Sequence, residues 1–281
     1  MKIFTTRKSL GEYLDQVRSA GKTIGFVPTL GALHQGHLSL IAQAQQQSDA
    51  VVCSIFVNPT QFNDPKDLEK YPRPIASDIE KLESIDCDAL FNPEVSEMYA
   101  GNEQWHLEIG ELEHLLEGRF RPGHYQGVTQ VVYKLFDIVK PDVAFFGQKD
   151  YQQFMVIQKM VDMMHLPVKL VMCPILREAD GLAMSSRNIH LSTDDRQHAF
   201  VLSKTLNWLK ENFDRNKIPQ LQTECLARIN AEPGVQPEYF EIANGENLHS
   251  ADEQTQIIVA LVAAKVGNTR LIDNVLLVHG S

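Results

Sequence analysis

No apolar run in this sequence reaches the roughly 20 residues that a membrane-spanning helix needs. The first residues, MKIFTTRKSLGEYLDQVRSAGK, carry charges where a secretory leader would carry an unbroken apolar stretch. The expectation is a soluble, cytoplasmic protein. Basic residues are also short: 26 Lys and Arg stand against 36 Asp and Glu, a formal net charge of -10. Proteins that bind nucleic acid by neutralising its backbone present a basic face, so neither nucleic acid nor a membrane is the expected partner. Four cysteines, Cys53, Cys87, Cys173 and Cys225, are scattered without CxxC spacing. That argues against a zinc or disulfide framework and reads as buried thiols. Low-complexity tracts and internal repeats are lacking as well. What remains is a globular chain of 281 residues, 43% hydrophobic, with length for one large domain and a smaller one.

Over the first two-thirds, short runs rich in Val, Ile and Phe alternate with segments of helical period. TIGFVP, AVVCSIFV, DALFNP, DVAFFG and VKLVMCP have the length and composition of strands buried on both faces. Val128, Val131, Val132, Leu135, Ile138 and Val139 follow helical spacing, as do Phe154, Ile157, Met160, Val161 and Met164. Pro141 ends the first of these helices and Pro167 follows the second. The alternation predicts an α/β fold over 1–176, a Rossmann-like parallel sheet with helices on both faces, whose ligands sit at the carboxyl ends of the strands. After residue 176 the regular interleaving stops. STDDRQHAFVLSKTLNWLKENF reads as a capped helix, and PEYFEIA and QIIVALVAAKVGNTRLIDNV follow it, so 177–281 is expected to be a smaller α+β domain.

The strand TIGFVP runs into TLGALHQGH, with a helix expected from about Gly36. Gly31 allows close backbone approach, and the unpaired N–H groups of the helix start suit an anion. His34 and His37 project near that positive end, where imidazole donors can stabilise charge developing on a phosphate. A tight turn with surface histidines is the plain alternative. A zinc site would need a third ligand that the neighbourhood lacks.

Other stretches carry polar groups at the ends of apolar runs. Lys149 and Asp150, after DVAFFG, offer a point charge for phosphates and an acceptor for ribose hydroxyls, or a solvated helix start. Gln61, in NPTQF, and Gln153, in KDYQQ, are neutral amides able to donate and accept, which suits a substrate bearing hydroxyls and a carboxylate, or else are solvated loop residues. AMSSRN supplies two hydroxyls and a guanidinium, Ser185, Ser186 and Arg187, able to grip phosphate oxygens, or else forms a polar linker. The stretch 63–74, NDPKDLEKYPRP, reads as a lid or a surface loop. Arg121 and His124 in RFRPGHY have no role that residue chemistry alone assigns.

PTLGALHQGHLSLI resembles the HxGH signature of the nucleotidylyl transferase superfamily, and within it the pantothenate synthetase family, which has a methionine where this chain has Leu30. SIFVNPTQF, YPR, LEGRFRPGHYQGV, PDVAFFGQKDYQQ and AMSSRN also resemble that family, in its order and spacing, from Phe26 to Asn188. The resemblance implies that (R)-pantoate and β-alanine are joined with ATP through a pantoyl-adenylate, releasing AMP and pyrophosphate. It implies His34, His37, Lys149 and Arg187 as catalytic residues. ATP would be held by Leu30, His34, His37, Gly147, Lys149, Asp150, Ser185, Ser186 and Arg187, and pantoate by Asn58, Gln61 and Gln153. Mg2+ is expected on the nucleotide phosphates without dedicated protein ligands. The family further implies a homodimer whose first domain binds ATP and pantoate and whose second closes over the site. The competing expectations are a nucleotidylyl transferase acting on another small acid, a relative of the aminoacyl-tRNA synthetases, and a regulatory module without turnover. The choice of β-alanine rests wholly on the resemblance.

Overall fold

The computed structural model describes residues 1–63, 65–101 and 103–278. Its strands are β1 (Lys2–Phe4), β2 (Ile24–Thr29), β3 (Ala50–Ile55), β4 (Ala89–Phe91), β5 (Val143–Gly147), β6 (Lys169–Cys173), β7 (Val235–Asn244), β8 (Ile258–Val266) and β9 (Thr269–Val278). Its helices are α1 (Arg7–Ser19), α2 (Gln35–Gln47), α3 (Pro65–Lys70), α4 (Ile75–Glu83), α5 (Val95–Met98), α6 (Leu116–Phe120), α7 (His124–Val139), α8 (Tyr151–Met163), α9 (Thr193–Asn212) and α10 (Ile218–Asn230). The chain forms two compact units, Met1–Gln148 with Gln152–Pro174, and Lys149–Tyr151 with Ile175–Ser281.

The first unit is built on a six-stranded parallel sheet of order β1-β4-β3-β2-β5-β6. The apolar runs become its central strands because side chains of both parities find cover. Val27, Cys53 and Phe145 face Leu38, Ile41 and Ala44 of α2 and Leu82 of α4. Phe26 and Phe146 point the other way, their rings meeting Phe136 of α7 edge-on at 6.3 and 6.4 Å. Helix α7 ends where Lys140 turns left-handed at φ 46°, its N–H on the Phe136 carbonyl, one residue before Pro141. From β2 the chain winds outward through β3 to β4, then crosses back to start β5 on the other side of β2. The carboxyl end of β2 therefore lies at the reversal of winding, where open α/β sheets open a crevice for ligands.

In the second unit an antiparallel sheet of order β7-β8-β9 packs against α9 and α10. Ser192 caps α9 by accepting the Asp195 N–H at 3.1 Å, and Leu202, Leu206 and Leu209 of α9 are buried against Phe240, Ile258, Ala260 and Val262 of the sheet. Of the stretch 63–74, Asp64 lies outside the described residues, and 65–70 forms helix α3.

Candidate active site

The turn between β2 and α2 is shaped by two consecutive left-handed residues, Gly31 at φ 84° and Ala32 at φ 50°. A side chain at Gly31 would meet Ile55 at 2.9 Å and Asp78 at 3.2 Å, so here the close approach is made by the protein itself. Ala32 adopts a conformation that costs a non-glycine residue about 1 kcal/mol, and Asp78 holds it there. This carboxylate, 1% exposed on α4, accepts the N–H groups of Ala32 and Leu33 at 2.8 Å each. Lys81, one turn along α4, donates to the Leu33 carbonyl at 2.8 Å. The turn is thus clamped through both of its hydrogen-bonding edges.

Helix α2 then starts with its own histidines as caps. Nδ1 of His34 accepts the Gly36 N–H at 3.1 Å, and Nδ1 of His37 accepts the His34 N–H at 3.3 Å. The two rings lie 4.0 Å apart between centroids. A ring nitrogen that accepts carries no proton. Both imidazoles therefore carry their proton on Nε2, and the HxGH spacing fixes the tautomer together with the helix start. Leu30, half-buried, precedes this turn.

A second cluster of the same unit surrounds the 3-10 turn Pro59–Gln61. Asn58 is fully buried and spends its amide inside the protein: Nδ2 donates to Gln61 Oε1 and to the Gly127 carbonyl, each at 3.1 Å, and Oδ1 accepts from the Tyr99 hydroxyl at 2.6 Å and the Thr60 hydroxyl at 3.2 Å. Burial raises the pKa of Tyr99, which keeps that phenol a donor. The Gln61 acceptor is taken by Asn58, and its Nε2 donates to no group among the described residues. Gln152 and Gln153 divide their work. Gln152, 2% exposed, braces the 112–117 segment, donating to the Leu112 and Leu115 carbonyls and accepting the Glu117 N–H. The side chain of Gln153, half-buried in the first turn of α8, makes no hydrogen bond among the described residues. Gly147 ends β5, and a side chain there would meet nothing within 4 Å.

In the second unit, half-buried Lys149 is held through its backbone: its carbonyl accepts from Nδ2 of Asn274, a residue of β9 that is 2% exposed. The adjoining Asp273, 4% exposed, receives both terminal nitrogens of Arg177 at 2.7 and 3.0 Å. Asp150 is exposed. Ser185 caps a 3-10 turn, Ser186–His190, by accepting the Arg187 N–H at 3.2 Å, so its hydroxyl proton still has a bond to give. Asn188 locks this turn, donating to Glu178 at 2.7 Å and to the Ala183 carbonyl at 3.1 Å, while Arg196 of α9 pairs with Glu178 and Asp180. Desolvation works to raise the carboxyl pKa of Asp180, and its hydrogen bonds to Arg196 and to the Leu182 N–H outweigh that and lower it.

Asp78, Tyr99, Asn274 and Arg196 are structural supports that the sequence reading passed over. Asp78 alone left a local trace: it occupies an apolar-face position of IASDIEKLE, where a carboxylate needs partners.

Residues 2–276 match the family model described as pantoate-beta-alanine ligase. A pantothenate synthetase of Porphyromonas gingivalis is 45% identical over 280 residues, 98% of this chain and 99% of the relative, and one of Thermotoga petrophila is 45% identical over 282, 99% and 100%. A crystal structure of pantothenate synthetase from Thermus thermophilus superposes with a TM-score of 0.93 at 37% identity, covering 99% of this chain and 100% of that one. A pantoate-beta-alanine ligase from Francisella tularensis, complexed with β,γ-ATP and β-alanine, superposes with a TM-score of 0.81 at 35% identity, covering 99% and 98%. Family model, relatives and structures agree over nearly the whole chain, which belongs to the pantoate–β-alanine ligase family.

Proposed function

We propose that this ligase runs its reaction in two halves. The pantoate carboxylate attacks the α-phosphorus of ATP, forming a P–O bond and displacing pyrophosphate. The β-alanine amine then attacks the carbonyl carbon of the pantoyl-adenylate, loses a proton, and AMP departs as the C–O bond breaks. The observation that carries this reading is the start of α2, where two imidazoles cap the helix through Nδ1 and so carry their protons on Nε2, the form that donates to phosphate oxygens. Such preorganised donors stabilise the charge that builds up in the transition state.

The first unit supplies Leu30 and Gly147 for close approach of the nucleotide, together with His34 and His37. The open space where a Gly147 side chain would lie suits a ligand. Pantoate falls to Gln61 and Gln153. Gln61 acts as a donor, because Asn58 occupies its acceptor, and Asn58 acts through Gln61 since it is itself fully buried. Lys149, Asp150, Ser185, Ser186 and Arg187 are assigned to ribose and phosphates, with Lys149 and Arg187 countering the charge of the leaving pyrophosphate. Among the described residues no three His, Cys, Asp or Glu side chains gather as metal ligands. Mg2+ would be carried by the ATP phosphates, whose charge it would counter. The Francisella relative's ligands support ATP and β-alanine as substrates. The family likeness supports a cytoplasmic homodimer.

The test is exchange of labelled pyrophosphate into ATP with β-alanine omitted. Exchange that depends on pantoate supports the first half-reaction. Exchange that is indifferent to pantoate contradicts it.

A further inference from the structure

Arg121 and His124 form a hydrogen-bonded line that ends on Gln61. A turn closed by the His124 N–H on the Arg121 carbonyl at 3.0 Å, with Gly123 left-handed at φ 78°, folds the guanidinium back over the first residue of α7. Nη1 of Arg121 lies 3.1 Å from Nε2 of His124, and Nδ1 of His124 lies 2.8 Å from the Gln61 carbonyl oxygen. A guanidinium only donates and a carbonyl only accepts. The imidazole between them is neutral, accepts on Nε2 and carries its proton on Nδ1, the opposite tautomer from His34 and His37.

The same turn of α7 grips Pro59–Gln61 a second time. Asn58 donates to the Gly127 carbonyl at 3.1 Å, and a side chain at Gly127 would sit 2.3 Å from the Thr60 carbonyl oxygen. Helix and turn are in backbone contact. Within itself the 3-10 turn has the Asn58 cap and the Phe62 N–H on the Pro59 carbonyl at 3.3 Å. Its ties to the neighbouring helix come from α7.

We propose that His124, kept in its Nδ1–H tautomer by Arg121, is a positioning residue for the acid substrate: it fixes the backbone of Gln61, and so aims the Gln61 Nε2 donor at pantoate. This rests on the reading of Gln61 as a pantoate ligand. His124 touches no reacting atom. Its loss shows in pantoate affinity and leaves ATP affinity alone.

The experiment measures kcat and the KM for pantoate and for ATP in the wild-type protein, Gln61→Ala, His124→Asn and His124→Gln. An asparagine amide nitrogen reaches the place of Nδ1, and a glutamine amide nitrogen that of Nε2. His124→Asn should therefore hold the pantoate KM within about threefold, and His124→Gln should raise it about tenfold, the worth of one buried hydrogen bond, with the ATP KM within about twofold in both. Equal pantoate KM values in the two variants, or an ATP KM rising in step, would overturn the proposal in favour of plain packing. If Gln61→Ala leaves the pantoate KM unchanged, the reading of Gln61 fails and the proposal with it. If Gln61→Ala raises it and His124→Gln does not, positioning alone fails. Should neither His124 variant fold, Arg121→Met at its half-buried position decides: it frees the tautomer, and an unchanged pantoate KM overturns the proposal.

Discussion

Oδ1 of Asp78, in the middle of α4, accepts the backbone N–H of Leu33 at 2.8 Å, while its Oδ2 takes that of Ala32. Because each oxygen faces a donor, no neutral isostere fits. Asp78→Asn must turn its NH2 towards one of the two N–H groups, so it should cost nearly as much as Asp78→Ala, about 3 kcal/mol for buried donors left unsatisfied. Urea unfolding at constant slope measures it, and the ATP KM should rise in both variants as the β2–α2 turn relaxes. A fully stable Asp78→Asn would mean that the turn holds itself.

At Gly127 two effects oppose each other. Alanine in a helix interior ordinarily gains about 1 kcal/mol over glycine. Here its methyl would come within 2.3 Å of the Thr60 carbonyl oxygen and 2.6 Å of the Gln61 nitrogen. Backbone cannot yield as a side-chain tip can, and overpacking costs about 1–3 kcal/mol. Gly127→Ala should therefore destabilise the protein and raise the pantoate KM. Greater thermal stability would show that the contact is looser than described.

The histidine caps separate folding from catalysis. In His37→Asn the amide oxygen can replace Nδ1 and accept the His34 N–H, but nothing replaces Nε2–H. We expect stability within about 0.5 kcal/mol of wild type and kcat/KM lower by about 10²–10³-fold, the usual worth of one preorganised donor. His37→Ala should lose the cap as well, a further 1 kcal/mol or about that. Equal activity of His37→Asn and wild type would remove His37 from the mechanism.

Burial lifts the Cys87 and Cys173 thiols to about 11 and that of Cys225 to about 12, and burial followed by the nearby Glu246 charge lifts the Tyr151 phenol to about 12. Each folded value lies above the unfolded one, so the unfolded chain loses these protons first as pH rises. Their stabilising contribution is complete below about pH 8.5, the ordinary thiol value, and drains away above it. Unfolding free energy should be level between about pH 7 and 8 and fall from about pH 9 upward. A level profile to pH 10 would contradict the burial of these groups.

The sheet is legible in the sequence because IGFVPT, AVVCSI and VAFFG are covered on both faces, which forces continuous apolar runs. The edge strand β1 is not, since its three residues are mostly exposed and carry no pattern. His34, His37 and Gln61 show themselves by motif. What holds them does not: Asn274 meets Lys149 across 125 residues of chain, and His124 meets Gln61 across 63. Gln152 and Gln153 are the same residue type side by side, and burial alone separates the brace from the amide left unspent.

The fate of the pantoate carboxylate oxygen distinguishes attack on the α-phosphorus from any other route. With pantoate labelled by ¹⁸O in its carboxylate, attack on the α-phosphorus carries one labelled oxygen into AMP, since the bond cut by β-alanine is the carbonyl carbon–oxygen bond. The account predicts AMP with a single ¹⁸O for every pantothenate formed. Unlabelled AMP, with the label in pyrophosphate or water instead, would contradict it.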